Sequence, residues 1–123
     1  MNELEMILIG IDPGAGLHKP IAAVAVGFWP DNRAVILDWA DARVEKGDTF
    51  VEILLRWGHE VLNLYEIQEA SGNVPISVVS ERVHSRGGKG WKIEAVVCHI
   101  EEVCRARGII FLPPISPTRL KKA

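Results

Sequence analysis

Residues Met6 to Gly14 read MILIGIDPG, an apolar run that enters an aspartate and is stopped at once by Pro-Gly. Proline has no N–H to give to a ladder and glycine permits a sharp reversal, so the run ends as a strand ends. A second apolar run starts at Ile21, beyond Gly16-Leu17-His18-Lys19-Pro20. Leu4 to Asp12 is mostly apolar, which predicts a strand buried on both faces. A carboxylate at the end of such a strand is costly unless something pairs with it. Two partners are common: a bound cation, or a backbone donor that makes Asp12 a turn cap.

The rest of the chain keeps the same grammar. Ile21 to Trp29 (IAAVAVGFW) reads as a second strand, Pro30-Asp31-Asn32-Arg33 as a tight turn, and Ala34 to Val44 (AVILDWADARV) as a third strand. These three form an antiparallel meander, with the alternation weakening near Asp38 and Asp41. Asp48 or Thr49 caps a helix whose apolar residues recur from Phe50 to Tyr65, and Ser71-Gly72-Asn73 ends it. Val74 to Glu81 reads as a fourth strand and His84 to Gly90 as a polar loop. Lys92 to Arg107 reads as a second helix stopped by Gly108, and Ile109 to Leu112 as a fifth strand. Ser116-Pro117 opens a third helix that the chain ends too soon to develop. The order predicts one α/β domain over residues 1–123, a mixed five-stranded sheet flanked by helices.

Composition narrows the function classes. The chain is 48% hydrophobic and 24% charged, ordinary for a globular domain. No apolar run approaches the ~20 residues of a membrane span and no secretion signal precedes the first strand, so the expectation is a cytoplasmic protein without a membrane partner. Cys98 and Cys104 are six apart in a helical pattern, about 9 Å along the axis, which excludes a disulfide between them. Gly87-Gly88-Lys89-Gly90 lacks the spacing and the Ser/Thr of a triphosphate-binding loop. The net charge of −2 hides a segregation. Arg82, Arg86, Lys89 and Lys92 fall in one stretch without acids, and Arg119, Lys121 and Lys122 in another. Such segments suit a phosphate-binding strip, or are simply two solvated stretches.

Three stretches carry a family likeness: IGIDPG at Ile9 to Gly14, VVSERVHS at Val78 to Ser85, and PPISPTRLKK at Pro113 to Lys122. In these places and this order they resemble the RuvC-type Holliday junction resolvases of the RNase H-like superfamily, with the last helix cut short. The resemblance implies that the first and fourth strands are neighbours, so that Asp12 and Glu81 share a metal site. It implies Mg²⁺, with Mn²⁺ as substitute, because carboxylates are hard ligands. It implies hydrolysis of branched DNA by a homodimer, since a four-way junction has two symmetric cleavage points. DNA contacts fall to Arg82, His84, Arg86, Lys89, Lys92, Lys121 and Lys122, with His84 where the family often carries an aromatic wedge.

One departure from the family pattern bears on activity. The family places further acids, or a histidine with an acid, on the C-terminal helix, and no Asp, Glu or His follows Glu102 here. Asp38 and Asp41 are the nearby substitutes. The expectation is weak or absent cleavage by the chain as it stands. The alternative is a non-catalytic RNase H-like module that binds DNA or a protein. His59 and His99 read as surface residues, and Trp29, Trp39 and Trp57 as core or interface residues.

Overall fold

The structure, a computed structural model, describes residues 3–12, 21–42, 47–70, 72, 74–80 and 90–113. Its elements are β1 (Met6–Asp12), β2 (Ile21–Phe28), β3 (Ala34–Ala42), α1 (Phe50–Ala70), β4 (Ile76–Ser80), α2 (Gly90–Ala106) and β5 (Ile110–Phe111). They form one five-stranded sheet in the order β3-β2-β1-β4-β5. β1, β2 and β3 pair antiparallel as the meander requires, and β4 and β5 join in parallel. The predicted element order therefore holds, with strand ends trimmed by a residue or two. The expected third helix, from Ser116, lies outside the described residues.

The meander turns where the sequence signals it. Trp29 N–H bonds Arg33 C=O at 3.0 Å, and Asn32 closes the turn with φ 66°. Asparagine tolerates this left-handed conformation better than most residues. The Arg33 guanidinium lies 4.7 Å from the centre of the Trp29 ring, so Trp29 is a turn residue rather than a core one.

Thr49, not Asp48, caps α1. Its Oγ1 accepts the Glu52 N–H at 3.2 Å, and its hydroxyl donates to Glu52 Oε1 at 3.0 Å. Asp48 is instead gripped by both terminal nitrogens of Arg56, at 2.8 and 3.3 Å. Thr49→Ala is expected to cost about 1 kcal/mol, the usual worth of such a cap, read from the urea midpoint. At the end of α2, Gly108 has φ 73°, and Ile109 N–H reaches back to Cys104 C=O at 2.8 Å. That is the left-handed helix stop the sequence predicts.

Both helices lie on one face of the sheet. Ile7, Ile9, Ile11, Ala23, Ala25, Ile76 and Val78 pack there against Ile53, Trp57, Val61, Leu64, Val96, Ile100 and Cys104. Gly58 lets the helices approach: a Cβ on it would lie 3.0 Å from His99 Nε2. His99 is thus half-buried between helices, unlike exposed His59, and the surface reading holds only for His59. Cys98 and Cys104 are both free; burial, aided by Glu101, pushes the Cys104 thiol up to about 11, so it packs as a small apolar group.

The expectation that β1 is buried on both faces needs correction. Its burial alternates: Ile7, Ile9 and Ile11 are covered, Met6, Leu8 and Gly10 are half-buried, and Asp12 is exposed. The apolar residues on its second face border a sheet surface that neither α1 nor α2 covers. β4 is the strand buried along its whole length. Among the described residues no helix is long and apolar enough to cross a membrane.

Candidate active site

Asp12 is the last residue of β1, and the strand's pleat sends it to the face opposite the helices. Its position is set from two sides. Towards β4 the parallel register runs Ile7 with Ile76 through Ile11 with Ser80. Towards β2 it is antiparallel and pairs Asp12 with Ala22. Some seventy residues of sequence therefore separate two strand ends that lie side by side. Ser80, fully buried, ends β4 one step before Glu81 in the chain.

The second carboxylate on this face comes from β3, and a bulge puts it there. The β2–β3 register shifts between Ala25 and Val26, so that Val26 pairs with Ile36 but Ala25 with Asp38. Leu37 is the extra residue. Past it, Val24 pairs with Trp39 and Ala22 with Asp41. One inserted residue reverses which face every later side chain takes. Asp12, Ala22 and Asp41 consequently form one row across three strands, with two strand spacings, about 10 Å, between the aspartates. Asp38 falls on the other face, and its Oδ1 accepts the Trp39 N–H at 2.8 Å. Of the two substitutes read in the sequence, the register keeps Asp41 on the Asp12 face and removes Asp38.

The other sequence candidates divide by location. Glu81, Arg82, His84, Arg86 and Lys89 lie outside the described residues, as do Lys121 and Lys122. Lys92 lies in the first turns of α2, and its side chain is outside the description. Among the described residues no group of three or more His, Cys, Asp or Glu stands close enough to hold a metal ion. A cavity of about 560 Å³ lined by Tyr65, Glu69, Val74, Pro75, Ile76 and Ile110 opens beside the start of β4, at the opposite end of the strands from Asp12. It has no part in this arrangement. Trp39, read from the sequence as a core or interface residue, is 64% exposed and so is not core. The signal was present as the broken alternation at Ile36-Leu37-Asp38, the mark of the bulge.

The strand order and the parallel β1–β4 pair decide the comparison with solved structures. The fold is that of RuvC. Thermus thermophilus RuvC in complex with Holliday junction substrate superposes with a TM-score of 0.72 at 15% identity, over 96% of this chain and 69% of that one. A second T. thermophilus RuvC structure gives 0.72 at 16% identity, over 96% and 68%. No protein-family model matches the sequence, and no curated protein matches it. At such identity the RuvC likeness establishes the shape of the chain, and the chemistry has to be argued from its own residues.

Proposed function

We propose that this RuvC-fold chain is a divalent-metal-dependent endonuclease acting on branched DNA, with Asp12 and Glu81 as its metal-binding carboxylates. The observation that carries the reading is the β1–β4 register: Asp12 stands one step past the Ile11–Ser80 pair, and Glu81 is the residue bonded to Ser80. Asp12 also suits the ion chemically. It is an exposed carboxylate at a strand end, a hard oxygen donor of the kind Mg²⁺ or Mn²⁺ takes. When bound, such ions activate water and offset charge on the leaving oxygen of a phosphodiester. The chain's own residues then have the task of holding the substrate. Arg82, Arg86, Lys89 and Lys92, with Lys121 and Lys122, would neutralise phosphates, and His84 would stack on a base. The RuvC whose fold this chain shares was solved on a Holliday junction, which supports a branched substrate. A homodimer would serve the two symmetric strands of such a substrate. Residues 1–123 would act as one domain.

One observation favours a second reading, a binding module without catalysis: among the described residues no group of three or more His, Cys, Asp or Glu stands close enough to hold a metal ion. The readings separate on a panel of labelled substrates with and without Mg²⁺. A nuclease cuts a four-way junction or flap in preference to linear duplex, and only with the ion. Tight junction binding with no cleavage in Mg²⁺ or Mn²⁺ would establish the module instead. Cleavage of an RNA–DNA hybrid in preference to junctions would reassign the substrate.

A further inference from the structure

The sheet face that carries Asp12 also carries an aromatic side chain that nothing in the core explains. Trp39 is 64% exposed, and beside it on the same face Ile36 is 66% exposed. Burial is the usual fate of tryptophan, so one left in solvent on a strand needs a reason. The Leu37 bulge is what turns it outward. Without the extra residue, Trp39 would pair with Ala23 and lie on the helix face; with it, Trp39 pairs with Val24 on the Asp12 face. Bulges recur next to active sites because they re-aim a side chain in this way. The Asp38 carboxylate holds the Trp39 N–H at 2.8 Å, which fixes the backbone under the ring.

Distance follows from the register. Trp39 aligns through Val24 with Gly10, two residues before Asp12, and lies two strands away. At ordinary strand spacing and rise the two Cα positions are about 12 Å apart. That is roughly three to four nucleotide steps at 3.4 Å each. The charge around the ring selects the part of the nucleic acid that fits. Asp41, next to Trp39 on the same face, would repel a phosphate, whereas an aromatic face attracts a base of any identity.

We infer that Trp39 is a stacking platform for an unpaired base a few nucleotides from the phosphate at Asp12, and so helps select branched DNA over continuous duplex. This rests on the nuclease reading above and adds a residue on β3 to it. Because Trp39 projects from the sheet, replacing it should leave folding intact, and Trp39→Phe keeps a ring as a second check.

The test measures affinity by fluorescence anisotropy for two DNAs, a junction with two unpaired thymines at its branch and a linear duplex. Ca²⁺ replaces Mg²⁺ so that binding is read without turnover. Trp39→Ala is expected to weaken junction binding about 5- to 150-fold, the usual worth of one stacked base. Trp39→Phe should retain most of the affinity, and duplex binding should change little. Unchanged junction affinity in Trp39→Ala, or an equal loss on both DNAs, would overturn the platform. So would a lower sedimentation coefficient with unchanged DNA affinity, which would make this face a contact between copies of the chain. If wild type itself fails to prefer the junction, the branched-DNA reading falls, and the platform with it.

Discussion

If the endonuclease reading proposed above holds, Asp12→Asn is expected to lower whatever Mg²⁺-dependent cleavage of branched DNA the chain shows by roughly 100-fold or more. A divalent ion at a phosphodiester supplies several kcal/mol of transition-state stabilisation, and each ~1.4 kcal/mol is a tenfold change in rate. Asparagine keeps the size of the side chain and removes the charge that the ion needs. Asp12 is exposed at the end of β1, away from the buried core, so its substitution should change the rate far more than the stability. Single-turnover rates and thermal midpoints, measured on the same preparations, separate the two effects. Equal rates in mutant and wild type would remove Asp12 from the chemistry and leave it as a turn cap. A matched loss of rate and of thermal midpoint would make its role structural.

Trp57→Ala carries the largest expected loss of stability, about 3–5 kcal/mol. Trp57 heads the largest fully buried side chains and lies in the cluster that joins α1 to β1, β2 and α2. Truncating it to a methyl group leaves a cavity the surrounding strands cannot fill without breaking register. Trp57→Phe should cost distinctly less. Among the described residues the buried Trp57 Nε1 has no hydrogen-bond partner, so phenylalanine gives up ring volume but relieves an unmet donor. Urea unfolding reads both, as shifted midpoints at unchanged slope. An alanine variant within about 1 kcal/mol of wild type would mean that the core collapses around the gap.

The elements that sequence reading located well are those whose signals are local. Pro30 to Arg33 marked its turn through residues that adopt turn conformations, and Thr49 and Gly108 marked helix ends through capping chemistry within a few residues. β1 was placed correctly but assigned the wrong burial, because an unbroken apolar run does not tell whether one face or two will be covered. Trp39 was read as a core or interface residue for a related reason. Its direction depends on a single extra residue in β3, and that bulge shows in the sequence only as an irregular alternation. His99 was read as a surface residue although it packs over Gly58, since helical periodicity does not say which helix lies opposite.

By itself the sequence determined which segments are strands and helices and where they stop, since propensity, capping and turn chemistry act over a few residues. It also determined that the first strand ends in a carboxylate and that Glu81 follows the residues of the fourth. Tertiary structure decided what stands next to what. The parallel pairing of β1 with β4 set Asp12 beside the end of a strand about seventy residues later, and the Leu37 bulge turned Trp39 and Asp41 onto its face. Both outcomes depend on hydrogen-bond register between strands, which is settled only when the whole sheet packs against α1 and α2.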